Sequence, residues 1–189
     1  MAKQVAARRF SVDEFQRMAE SGIFDEDDRL ELLDGEIIQM EPVGRRHVAV
    51  VNRLTRVFGR VLGDRALISV QNPLVLDPTG EPQPDLVLLR GRDDDYEAAL
   101  PTGADALLVV EVADTTLGYD TTRKSRAYAR GGVPVVWVVA LGRTAARDRF
   151  LVFADPGHDG YACRTDVRHG DVLTIPGLPG ISISVSEFL

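Results

Sequence analysis

Cysteine is almost missing from this chain: 189 residues contain one, Cys163. A single thiol excludes an internal disulfide and a cysteine-built zinc centre. It fits a reducing compartment, so cytoplasmic location is the expectation. Histidine is scarce too. His47, His158 and His169 stand too far apart for a ligand spacing such as HxxxH. Long apolar runs are lacking. The longest, Val133–Leu141, contains Pro134 and falls far short of the roughly 20 residues a membrane span needs. No membrane partner is expected, and Met1–Phe10 has no apolar stretch resembling a secretory signal. Lysine is the third scarcity: Lys3 and Lys124 stand against twenty arginines.

The formal net charge is −7, which argues against simple nonspecific attraction to nucleic acid. Its distribution is uneven. Residues 81–120 hold ten acids and two bases, a net −8. Arg45–Arg65 carries six arginines against Asp64, and Thr121–Arg149 carries six arginines and Lys124 against Asp148. An acidic centre is thus flanked by two basic segments, which ordinary solvated faces would also explain.

Length suits one compact domain over residues 1–189. The expected division is an amino-terminal helix (1–22), a core (23–145) and a carboxy-terminal β extension (146–189). Ser11 with Glu14 matches a capping box and predicts a helix over 12–21. Asp34-Gly35 between Leu30–Leu33 and Glu36–Met40 predicts a hairpin. Val50, Leu54, Val57, Phe58 and Val61 recur at helical spacing over 46–62, with Arg53, Arg56 and Arg60 on the opposite face. Strands are expected at 68–76, 85–89, 107–112 and 135–139, and a helix over 121–130. Short strands at 150–153, 160–164 and 181–185 close the chain. Helices set before and between buried strands imply an α/β (α+β) fold with a mixed central sheet.

Apolar runs normally exclude charge, because burying an unpaired carboxylate is very costly. Two runs break that rule. Asp85 follows Pro84 and opens Leu86–Leu89, and Glu111 sits inside Leu107–Val112. Carboxylates on neighbouring strand ends make a site for a hard cation plausible, and magnesium takes few protein carboxylates. Lys124 follows on the next helix. In a chain that otherwise uses arginine, the one interior lysine points to lysine chemistry: a compact ammonium aimed at a phosphate or a water.

Pro84-Asp85, Glu111-Val112-Ala113 and Lys124 resemble the signature of the PD-(D/E)XK nuclease superfamily. Ala113 stands where the standard pattern has lysine, and Lys124 fits the variant with the lysine on the following helix. The wider pattern resembles the Uma-type endonucleases, a bacterial family. It is carried by Arg29–Ile37, Met40-Glu41-Pro42, His47, Gln83–Val87, Leu108–Val112, Asp120 with Lys124 and Tyr128, and Gly132-Val133-Pro134 leading to Trp137-Val138-Val139. The match runs from about residue 10 to the end. Val136 departs from it, replacing the usual tyrosine before the tryptophan.

The resemblance implies a restriction-endonuclease-like fold and metal-dependent phosphodiester hydrolysis, with DNA as substrate ahead of RNA. Asp85 and Glu111 would bind Mg2+, with Mn2+ able to substitute and the Val112 carbonyl completing the shell. Lys124 would orient the attacking water. Glu31 is the chosen amino-terminal glutamate, with Glu36 the alternative. His47, Gln83, Arg53 and Tyr128 are candidate substrate contacts, and each has an ordinary structural reading as cap, surface or packing residue. Asp120 reads as a cap or an ion-pair partner of Arg123 or Lys124. A homodimer would let two sites cut two strands. The competing expectation is a catalytically silent nuclease-fold module that binds nucleic acid or a protein partner.

Overall fold

In the computed structural model, which describes residues 6–25 and 27–188, Ser11 starts the first helix, α1 (Val12–Glu20). Its hydroxyl accepts from the Glu14 amide while the Glu14 carboxylate accepts from the Ser11 amide, so two otherwise orphaned donors are satisfied. Glu26, inside the acidic loop expected at 25–28, lies outside the described residues. Val12 and Phe15 of α1 pack on Leu32 of a hairpin formed by β1 (Leu30–Leu33) and β2 (Glu36–Gln39). Asp34 and Gly35 both take positive φ, 53° and 72°, as a two-residue turn that follows strand twist requires. A bridge from Leu32 to Glu81 fixes the hairpin to the segment between the first two strands of the main sheet, 67–70 and 86–89.

Helix α2 (Arg45–Leu62) buries Val50, Val51, Leu54, Val57, Phe58 and Leu62 along one stripe. The main sheet has six strands in chain order: β3 (Leu67–Val70), β4 (Leu86–Leu89), β5 (Ala106–Ala113), β6 (Val135–Ala140), β7 (Arg149–Gly157) and β8 (Gly160–Val167). Only β5 and β6 run parallel; every other neighbouring pair is antiparallel. The parallel pair needs a crossover. Here it contains α3 (Leu117–Tyr119), a π-helical turn (Asp120–Lys124) and α4 (Ser125–Arg130), joined without a break.

Strands β4, β5 and β6 are buried throughout, so both sheet faces are covered. Alternate residues feed two cores. Leu86, Leu108, Val110, Trp137 and Phe150 face α2. Val87, Val109, Val136 and Val138 face Tyr128 of α4. Trp137 lies 5.4–6.1 Å, centroid to centroid, from Phe58, Phe150 and Phe188. Burying each of these aromatic side chains contributes about 1.5–3 kcal/mol. After β8 the chain forms a small ribbon, β9 (Val172–Thr174) with β10 (Ser182–Ser184), whose Leu173 and Ile183 join the α2 core.

The expected mixed sheet flanked by helices is the one observed. Local differences have local causes. The strand expected at 68–76 ends at Val70, because Gln71 turns to φ 53° and Pro73 follows. The helix expected from Thr121 starts at Leu117, and β7 and β8 outrun their apolar segments by pairing with each other. The residues from 146 onward thereby add two strands to the central sheet. No described helix is long and apolar enough to cross a membrane.

Candidate active site

Antiparallel pairing of β4 with β5 sets Leu86 opposite Val110, so Asp85 arrives beside Glu111. Asp85 Oδ2 accepts the Val112 amide at 2.8 Å and lies 3.0 Å from His47 Nε2. His47 sits in the first turn of α2, buried, and its Nδ1 has no partner. Glu111 is 3% exposed and Asp85 8% exposed.

Lys124 is fully buried at the end of the π turn. Its Nζ lies 2.9 Å from Glu111 Oε1 and 3.1 Å from Glu31 Oε2. At these distances the buried ammonium is the shared ion-pair partner of both side chains. Two phenols flank the arrangement: Tyr119 donates to Glu31 Oε1 at 2.9 Å, and Tyr128 donates to Glu111 Oε1. The Gln83 amide donates to Glu31 Oε2 at 3.3 Å.

Burial pushes the Glu111 carboxyl above the ordinary glutamate range, with the Lys124 ammonium opposing and the Asp85 carboxylate adding to the rise. Burial acts against the Lys124 ammonium, yet Glu111, Glu31 and Asp120 hold it well above the ordinary amine range. Asp120 is raised by burial and accepts from Thr116 Oγ1 at 2.5 Å. Lys124 is therefore a cation at neutral pH, stored between carboxylates.

His47, Gln83, Tyr119 and Asp120 border a cleft of about 640 Å³, walled by Ile38–Gly44 on one side and 114–120 on the other, while Glu31, Lys124 and Tyr128 lie off its lining. Asp85, Glu111 and Val112 line it. Among the described residues, Asp85 Oδ1 and Glu111 Oε2 carry no hydrogen bond, so each carboxylate keeps one oxygen free. No cluster of three or more His, Cys, Asp or Glu side chains converges among the described residues. Asp85 Oδ1 and Glu111 Oε2 are thus the oxygens open to a hard cation, of a kind that takes few protein carboxylates and keeps several waters.

The structure brings Glu31, Asp85, Glu111, Val112 and Lys124 together, with His47 and Gln83 at the cleft wall. It does not bring Arg53 there. That guanidinium donates to the Phe188 carbonyl at 2.8 Å and ties α2 to the carboxy-terminal segment. Tyr128 is completely buried and backs Glu111 from inside the core, out of reach of a substrate. Glu36, the alternative to Glu31, is half-buried and pairs with Arg9 and Arg123. Arg123 is engaged with Asp34 and Glu36, so it does not pair with Asp120.

Sequence reasoning passed over Tyr119 and Arg29, both of which line the cleft. Tyr119 lies five residues before Lys124, a separation that a regular α-helix turns to different faces. The π turn closes i→i+5 and lets both address Glu31. No residue pattern announces such a turn.

The mixed sheet flanked by helices has a counterpart among solved structures. A crystal structure described as a putative nuclease belonging to DUF820 from Anabaena variabilis superposes with a TM-score of 0.68 at 13% identity, covering 95% of this chain and 97% of that one. At that identity the likeness concerns the fold. The Uma2 family model, described as putative restriction endonuclease, matches residues 12–186, and the chain belongs to that family. No curated protein matches it.

Proposed function

We propose that this protein is a metal-dependent endonuclease that hydrolyses phosphodiester bonds in DNA. The observation that carries the proposal is a buried lysine held between two carboxylates, one of which shares a cleft with Asp85. Asp85 and Glu111, with the Val112 carbonyl, are the groups to hold Mg2+ or Mn2+. Such an ion supplies Lewis-acid polarisation of the phosphoryl oxygen and a bound water of lowered pKa.

The chain's own residues do the rest. His47 and the Val112 amide fix Asp85 through Oδ2 and leave Oδ1 turned to other uses. Glu31 and Glu111 keep Lys124 charged, and its ammonium, beside Glu111, is the group to orient the attacking water and meet charge growing on the phosphoryl oxygens. Water oxygen bonds to phosphorus and releases a proton to solvent as the bond to the leaving oxygen breaks. The leaving oxygen then takes up a proton. Gln83 is positioned to contact substrate at the cleft wall.

The test is cleavage of single-stranded and duplex DNA with Mg2+ or Mn2+ by the wild type, Asp85→Asn and Lys124→Gln. Only the wild type is expected to cut. Equal cutting by Asp85→Asn would refute the assignment. The cleft's lining of five acids against Arg29 favours a second reading, a silent module that binds without cutting. DNA retention without hydrolysis by the wild type would select it.

A further inference from the structure

Lys124 and Glu31 are both fully buried and lie off the cleft lining. Of the two carboxylates that share the ammonium, only Glu111 lines the cleft. Lys124 can therefore act on a bound phosphate only from its Glu111 side. An ammonium drawn wholly onto Glu31 would be withdrawn from the chemistry. Whatever divides it between the two carboxylates decides its use.

Each carboxylate has its own phenol. Tyr128 donates to Glu111 Oε1, and Tyr119 donates to Glu31 Oε1 at 2.9 Å. The order through the site is phenol, carboxylate, ammonium, carboxylate, phenol. The two ends differ in place. Tyr128 is completely buried, whereas Tyr119 is half-buried and forms part of the cleft wall. Glu31 Oε2 accepts the Gln83 amide at 3.3 Å and faces Lys124 Nζ at 3.1 Å. Among the described residues, Oε1 depends on Tyr119 alone. A buried acceptor left without a donor is costly. Without that hydroxyl, the donor at hand is the ammonium beside the sister oxygen. Burial, with the Glu31 charge adding, holds the Tyr119 phenol far above its ordinary range, so it remains a donor.

The backbone achieves this placement. Tyr119 ends α3, and the π turn follows at once, closed by the Ser125 amide on the Asp120 carbonyl. Such turns are rare and sit frequently at functional sites. The geometry points to Tyr119 as a positioning residue for Lys124: its hydroxyl satisfies Glu31 from the cleft wall, so the ammonium stays shared and remains beside Glu111. Tyr119 acts through Glu31 and does not touch the reacting atoms. Tyr128 is the opposing pull on the other side. The catalytic consequence rests on the nuclease reading of the cleft; the position of the ammonium does not.

The test is a set of crystal structures of the full-length wild type, Tyr119→Phe and Tyr128→Phe, with Mn2+ titration and steady-state DNA cleavage alongside. Each variant loses one hydroxyl and keeps its ring, so both are expected to fold. In Tyr119→Phe, Lys124 Nζ should turn to Glu31 and pass beyond about 3.5 Å from Glu111. In Tyr128→Phe it should move the opposite way, toward Glu111. A tyrosine that merely packs would move the ammonium in neither. Tyr119→Phe should also lower kcat about tenfold or more while KM stays within about twofold, the mark of an interaction made in the transition state. An ammonium at its wild-type distances in Tyr119→Phe overturns the inference. So does unimpaired kcat in a variant whose ammonium has moved. Lysine-selective 15N labelling reads the same site in solution, because Lys3 and Lys124 are the chain's two lysines. An unshifted Lys124 ammonium signal in Tyr119→Phe likewise overturns it. Displacement of the ammonium in a protein whose wild type binds no Mn2+ and cuts no DNA supports the positioning and removes the nuclease reading.

Discussion

Lys124→Met should unfold more of this protein's stability than any other conservative change at the site. The methionine roughly fills the space of the lysine stem but removes the charge between Glu31 and Glu111, both within 3.1 Å of the ammonium. Breaking a buried ion pair by removing one partner costs about 3–5 kcal/mol, because the other charge is left uncompensated. Burial favours the protonated form of Glu111, so once the ammonium is gone this carboxylate can take up a proton, which places the cost near the low end, about 3 kcal/mol. For a domain of this size that corresponds to a melting shift of about 6–12 °C. Thermal melting and urea denaturation at pH 7 measure it. Lys124→Met combined with Glu31→Gln should recover about half the loss or more, because the uncompensated carboxylate is gone while the Tyr119 hydroxyl and Gln83 amide keep a partner. A single variant melting within about 2 °C of the wild type would refute the claim that this lysine balances the buried carboxylates.

Tyr128→Phe strips a donor from Glu111 inside the core and should cost about 1–3 kcal/mol in urea denaturation; no change would mean the contact is idle. Glu81 has its carboxyl raised by burial, with the Gln16 amide opposing, so its contribution to stability is full below the ordinary glutamate pKa and is lost as pH rises through the raised value. Glu81→Gln removes that loss, so the variant should gain on the wild type between pH 4 and pH 7 in parallel melts; a gap that widens against the variant contradicts the sign. Gly103→Ala would drive a Cβ into the Gly131 carbonyl, where backbone meets backbone at the end of α4, and should cost about 3 kcal/mol by overpacking. Wild-type stability in Gly103→Ala would show that this approach has room to relax.

Much of the fold is written in short-range signals. Ser11 with Glu14 marks the start of α1, Asp34-Gly35 makes its hairpin, and the apolar stripe of α2 lies where its 3.6-residue period puts it. Lys124 and Glu111 stood out because each contradicts its surroundings: a lysine in an arginine-rich chain, and a carboxylate in an apolar strand. Their meeting was legible only through the family pattern, since it depends on β4–β5 register and on the crossover. What stayed hidden depends on non-local pairing. Tyr119 reaches Glu31 through a π turn, and exposed β8 is a strand because β7 offers it a ladder, with few apolar side chains to announce it. Arg53 shares a helix face with Arg56 and Arg60 and so looked available to phosphate. The carboxy-terminal segment, which no local rule brings to α2, occupies it through the Phe188 carbonyl.

The central claim is that Asp85 and Glu111 act as one cation site beside Lys124, and calorimetric titration of Mn2+ or Mg2+ tests it most directly. The wild type should bind, and Asp85→Ala and Glu111→Ala should each abolish that binding while remaining folded by circular dichroism. Wild-type protein that takes up neither ion at millimolar concentration, even with short DNA added, would contradict the account.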